Sequence, residues 1–294
     1  MKNRKVHLLV IIAMVAAVAS VVGFTARGSG SQSPPATSKP QIKTTLSTSV
    51  TKAKSPATKT SAAAAQNQIL RNELTWTFGG KQQRGWYLYD ALLVETLDID
   101  DDPLSDNFAE AVTKWQKRRG LSASGMLDQN AWMAMVSHWQ SNRLKNRASA
   151  TPDQLVTAPA SDFYDPSRAA ELRQVERETY SAYLKMIAAA SEDLKLSSND
   201  RYFKIISAFR SREYQDMLRR KSPNSGSAGL AVNNSPHFTG RALDIYVGGD
   251  PVDTKTENRA IQVNTPAYKW LVRNAEKFGF RPYFYEPWHW EYVK

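Results

Sequence analysis

Ser235-Pro236-His237-Phe238-Thr239-Gly240-Arg241-Ala242-Leu243-Asp244-Ile245 is the stretch from which the rest of the chain is read. Gly240 permits a tight turn, and from Arg241 the residue types suit a strand with Ala242 and Asp244 on one face. His237 stands at the loop end of that turn and Asp244 on the strand, so the turn can bring both side chains together. A second segment, Tyr283-Phe284-Tyr285-Glu286-Pro287-Trp288-His289-Trp290-Glu291-Tyr292, follows a helix opened by Thr265-Pro266 and closed by Gly279. The chain has four histidines, and apart from His7 and His138 they are His237 and His289.

Two histidines and an aspartate offer three neutral-to-anionic ligands, which suits a catalytic zinc with its fourth position left for water. Glu286, three residues before His289, is then placed to take a proton from that water. Upstream, the apolar and β-branched run Phe203–Phe209 predicts a strand. Arg210 follows it, and Ser211 can cap a short helix through Arg219. That cap would set Arg210 and Gln215 facing each other at the helix start. Arg210 would stabilise an oxyanion or bind a substrate carboxylate. Taken singly, each residue also has a plainer explanation: His237 in a turn, His289 packed among aromatics, and Glu286, Arg210 and Gln215 solvated.

The 294-residue chain has no cysteine. That excludes a disulfide scaffold, a thiolate nucleophile, a Cys-ligated zinc knuckle and a lipid anchor on cysteine. The formal net charge is +11, yet ten Lys and Arg precede the first acidic residue, Glu73, leaving 29 basic against 28 acidic residues beyond them. The folded part is thus nearly neutral, and a nucleic-acid-binding face has no support in the composition. Lys2, Arg4 and Lys5 precede an apolar stretch from Leu8 to Phe24, the pattern of an export signal or, through residues 8–24, of a membrane anchor. Residues 1–26 read as that signal or anchor. Residues 27–70, made of Ser, Thr, Ala, Pro, Lys and Gln, read as a disordered spacer. Ser49–Lys52 and Ser105–Asn107 spell S-x-x-K and S-D-N of penicillin-binding proteins, but no K-T-G follows.

Residues 71–145 are expected to form a small all-α, three-helix unit. Phe108, Val112 and Trp115 make a helical stripe ended by Gly120, and Trp132, Met133 and Met135 mark another helix. The run from Asp106 to Met135 resembles the peptidoglycan-binding domain of wall hydrolases, although core packing is the better explanation of Trp115. His138 has no partner motif there. A second linker is expected over 146–161, and a long helix from Asp165-Pro166 to about Leu194 within the last unit, 162–294.

The pattern S-x-H-x-x-G-x-A-x-D fixes five residue types; at about 7% each, chance gives on the order of one in a million per start position. Together with E-x-W-H-W-E downstream, it resembles the VanY-type D-alanyl-D-alanine carboxypeptidases over about Tyr202 to Tyr292. That resemblance implies Zn2+ held by His237, Asp244 and His289, with Glu286 as catalytic base. Arg210, in Ala208-Phe209-Arg210-Ser211, matches the family's S-G-Y-R-S segment, with Ala208 and Phe209 replacing Gly and Tyr. Gln215 and Ser235 match positions that bind the terminal carboxylate of the stem peptide, although Ser235 could equally brace His237. The implied fold is α+β, a small antiparallel sheet with flanking helices. The implied activity removes a terminal D-alanine from peptidoglycan stem peptides in the periplasm or cell wall, with DD- or LD-specificity open. The alternatives are a stem-peptide endopeptidase, against which Glu286 in place of Asp argues mildly, and a catalytically silent wall-binding protein.

Overall fold

The computed structural model describes residues 59–100, 102–195, 201–221 and 234–294. The apolar segment 8–24, most of the expected spacer and the Ser49–Lys52 motif lie outside them. Among the described residues no helix is long and apolar enough to cross a membrane.

The N-terminal part opens with helix α1 (Lys59–Glu73), which begins in the stretch expected to be spacer and ends in the expected helical unit. Its Ala63 and Ala64 pack on Ala109, and Asn67 donates to the Gly125 carbonyl and accepts from Leu127 N at 2.9 and 2.8 Å. An alanine-rich face needs no large aliphatic side chain when another helix comes this close, so composition alone misread it. Next come strands β1 (Thr75–Phe78) and β2 (Lys81–Arg84), an antiparallel hairpin turning at Gly79 and Gly80, both at positive φ. The region is therefore mixed rather than all-α, because Thr75-Trp76-Thr77-Phe78 before Gly-Gly is hairpin chemistry. Helices α2 (Asp90–Leu97), α3 (Asp106–Arg118) and α4 (Gln129–Ser141) follow. Ser105 caps α3 by accepting from Phe108 N at 3.1 Å, and Asp128 caps α4 by accepting from Ala131 N at 2.9 Å.

Strands β3 (Leu155–Thr157) and β4 (Gln174–Glu176) pair antiparallel, in sequence expected to be linker and helix. Helix α5 runs Arg177–Leu194, capped by Glu176, which accepts from Glu178 N and Thr179 N. Asp165 does use its carboxylate on a nearby backbone N–H, that of Ser167. It closes a turn there and starts no helix.

The remaining strands are β5 (Ile205–Ser207), β6 (Ala242–Ile245), β7 (Phe280–Pro282) and β8 (His289–Tyr292), joined antiparallel in the order β5-β6-β8-β7. Helices α6 (Arg212–Lys221), α7 (Thr256–Val263) and α8 (Pro266–Asn274) flank them. This is the expected α+β arrangement. The aromatic core runs without a break from the N-terminal helices to the segment before β8. Trp139 stacks on Phe284 at 5.8 Å, and Tyr89 lies 5.5 Å from the same ring.

Candidate metal centre

Strand register builds the centre. Asp244 on β6 lies directly opposite Ser207 on β5 and His289 on β8, so three neighbouring strands set three side chains in one row. His237 comes from a short 3-10 turn, Pro236–Thr239, and closes toward the same point. Ser235 caps that turn, its Oγ accepting from His237 N at 3.4 Å. Gly240 ends it at φ +66°, where a Cβ would sit 2.9 Å from the Glu176 nitrogen. That close approach, as much as the left-handed backbone, requires glycine.

His237, Asp244 and His289 are buried, and one donor atom from each lies within 4.8 Å of the others. Nε2 of His237 is 3.3 Å, and Nδ1 of His289 2.9 Å, from the same oxygen, Oδ1 of Asp244. The outer ring nitrogens are committed elsewhere. Nδ1 of His237 sits 2.7 Å from the Ala208 carbonyl, which makes it the protonated nitrogen, and Nε2 of His289 is 3.2 Å from Glu291 Oε1. Two histidines oriented from behind and a carboxylate between them fit a divalent cation.

Arg210 holds the other side of Asp244. Its Nη2 donates to Oδ2 at 2.7 Å and its Nε to Ser207 Oγ at 2.9 Å. Glu291, fully buried behind His289, accepts from Arg143 through Nε at 3.1 Å and through Nη2, and from Leu144 N at 2.8 Å.

Charge follows from these contacts. Burial would raise the Asp244 carboxyl, but His237, His289 and Arg210 outweigh it and hold Asp244 well below the usual carboxylate range. Burial, with Arg210 adding to it, pushes His237 down to about 4. Burial opposes the charge on His289 as well, yet its bonds to Asp244 and Glu291 win and lift it to about 9. Glu291 falls to about 2 because His289 and Arg143 outweigh its burial. Glu286 is raised, chiefly by burial.

The cluster opens on a cavity of about 300 Å³ whose walls include Glu286, Tyr283, Ser235 and four arginines, Arg143, Arg147, Arg168 and Arg210. Gln215 is buried and does not line that cavity. His138 lies apart, 2.7 Å from an Arg119 nitrogen. Sequence reasoning missed Glu291, Arg143, Arg147 and Arg168. Glu291 had a signal, since it stands two residues after His289 on one strand and so on the same face. The arginines had none.

A buried His-Asp-His cluster beside a glutamate in a cleft defines the class, a candidate metal-dependent hydrolase site. Residues 172–294 match the family model described as VanY, D-alanyl-D-alanine carboxypeptidase. That match contains the four-stranded sheet, all three donor residues and Glu286, and begins beyond residues 71–145. A solved structure of the LdcB LD-carboxypeptidase, described as revealing the molecular basis of peptidoglycan recognition, is similar at 25% identity over 49% of this chain and 70% of that one, with a TM-score of 0.36. No curated protein sequence matches the chain.

Proposed function

We propose that the protein is a zinc carboxypeptidase that removes the terminal D-alanine from peptidoglycan stem peptides. The observation that carries this reading is the donor cluster with Glu286 on the wall of an arginine-lined cavity. The family match over residues 172–294 supports it.

His237, Asp244 and His289 would hold the zinc, which when bound supplies Lewis acidity toward a water and the scissile carbonyl. Glu286 takes the proton of the attacking water and delivers it to the leaving amine. Its burial, which favours the protonated carboxyl, suits that return. Arg210 keeps Asp244 turned toward the histidines and, with its charge, favours the developing oxyanion. Ser235 acts through the turn that carries His237. Arg147 and Arg168 receive the terminal carboxylate of the substrate. Arg147 donates to the Leu144 and Asn234 carbonyls, and Arg168 faces the Phe163 ring at 5.9 Å, so a carboxylate would complete their pairing. Export from the cytoplasm and a wall-directed role for residues 71–145 belong to the same proposal.

The test is incubation of the protein with purified stem pentapeptide and tetrapeptide, with and without a chelator, followed by mass measurement. Loss of a single alanine, abolished by the chelator and restored by zinc, is expected. Scission into two larger fragments would replace this reading with an endopeptidase. Chelator-resistant turnover would remove the metal from it.

A further inference from the structure

Arg259, on α7, is 1% exposed and reaches a second cavity of about 710 Å³. The β1–β2 hairpin, the start of α7 and Tyr285 bound that cavity. Nη2 of Arg259 donates to the Tyr89 hydroxyl at 2.5 Å. Its guanidinium stands 5.5 and 4.4 Å from the ring centroids of Tyr89 and Tyr285. Nε has no hydrogen-bond partner, and among the described residues no carboxylate pairs with this arginine. Tyr89 does not neutralise it, because burial raises that phenol above its ordinary value in spite of Arg259.

A buried guanidinium with an unpaired donor and no carboxylate bonded to it is destabilising unless something anionic completes it. Aromatic faces offset part of the cost and leave the Nε–H unmet. The cavity wall also carries Lys81, Arg84 and Lys255 against the carboxylate of Glu257; Arg84 pairs with Glu73, and Lys255 with Asp253 at 3.4 Å. We propose that this is a second ligand site, in which an oxyanion (a carboxylate or a phosphate) carried on a wall polymer docks on Arg259. The segment Tyr283–Glu286 separates the two cavities, with Tyr285 lining one and Tyr283 and Glu286 the other. A polymer held at Arg259 would therefore present its neighbouring groups close to the peptidase cleft and raise their effective concentration. The anion site at Arg259 itself needs neither the metal nor the peptidase reading, whereas the wall polymer as carrier of the anion rests on the proposed function.

The experiment is calorimetric titration of the intact chain, in chelator, with N-acetylmuramic acid, with glycerol phosphate and with neutral N-acetylglucosamine. Binding of either acid at least about tenfold tighter than the neutral sugar is expected, and which acid binds identifies the source of the oxyanion. Arg259→Lys keeps the charge and loses the fork, so affinity for the acid should fall about tenfold while turnover of a free stem peptide stays unchanged. Lys255→Gln, a surface change that leaves the fold intact, should weaken acid binding severalfold. Equal binding of acid and neutral sugar, or no binding of either acid, would overturn the proposal. So would acid binding unaltered in both variants.

Discussion

Arg143 Nε donates to Glu291 Oε1 at 3.1 Å across 148 positions of sequence, and that same oxygen stands 3.2 Å from His289 Nε2. The segment leaving α4 therefore ends one carboxylate away from a candidate metal ligand. Glu291 fixes the His289 ring with Nδ1 toward Asp244, and His289, with Arg143 adding to it, keeps Glu291 ionised. Partners of this kind govern ligand orientation and basicity.

Glu291→Gln should lower zinc affinity by about 10–100-fold, read by competition with a chromogenic chelator. Arg143→Met should do the same in smaller measure, through Glu291. An affinity equal to the parent's in both variants would show that the chain of contacts behind His289 is idle.

Glu286 separates metal binding from turnover. Glu286→Gln keeps its size and removes the proton acceptor, so zinc stoichiometry should stay intact while kcat falls by about 10²–10⁴. Retained turnover would take Glu286 out of its proposed role. Loss of zinc would move it among the ligands.

The pH dependence of the metal-free protein follows from the cluster. With His289 lifted to about 9, His237 pressed to about 4 and Asp244 well below its ordinary value, the neutral-pH cluster holds its proton on His289. Zinc must displace it, so uptake should release about one proton and affinity should rise about tenfold per pH unit up to pH 9, then level off. Stability runs the other way. The folded imidazole holds its proton more tightly than the unfolded one, whose ordinary value is 6.5. Its contribution is complete below 6.5 and lost as the pH rises through 9. Thermal melts in chelator should show Tm falling across that window, and a Tm rising there would refute the assignment.

Trp139 carries the core from α4 to Phe284, two residues before Glu286. Trp139→Ala should cost about 3–5 kcal/mol by urea unfolding. Because the cavity left sits beneath Tyr283–Glu286, turnover should also fall under conditions where the variant is still folded. Full activity in such a variant would show that this packing does not position Glu286.

The sheet and the His237–Asp244–His289 cluster were legible because their determinants are local. A glycine that only a left-handed turn needs stands three residues after His237, and β alternation puts Asp244 and His289 on a common face. Glu291 obeys the same alternation and was readable in principle. Other features were hidden for tertiary reasons. Helix α1 is held by Asn67 reaching Gly125 and Leu127, contacts that no compositional window contains. Asp165-Pro166 carries the sequence of a helix start, and the chain instead spends that carboxylate on Ser167 before β4 pairs with β3. Gln215 holds the expected place on α6, yet it is buried outside the lining of the cleft, since one helical position decides which side a side chain takes.

Arg147 and Arg168 make the sharpest case for a substrate with a free carboxyl end. Arg143 and Arg210 already pair with Glu291 and Asp244. Burial works against the charge of Arg147 and of Arg168 and lowers both from the usual guanidinium value. A cation in that state gains most from an anion that arrives with its own desolvation already met by neighbouring donors. The gain belongs to substrate and transition state alike if the carboxylate lies away from the reacting bond, and removing it should then act mainly on KM. Arg168→Gln is expected to raise KM for a stem peptide with a free terminal carboxylate by about tenfold or more, with kcat nearly held. The same variant should barely change the weak turnover of the C-terminally amidated peptide, because the parent has nothing to pair with there. If free-acid and amidated peptides respond equally, Arg168 supports the cleft without reading the carboxylate. If the parent cuts both alike, the arginine wall serves an anion elsewhere on the substrate, and cleavage inside the stem becomes the better account.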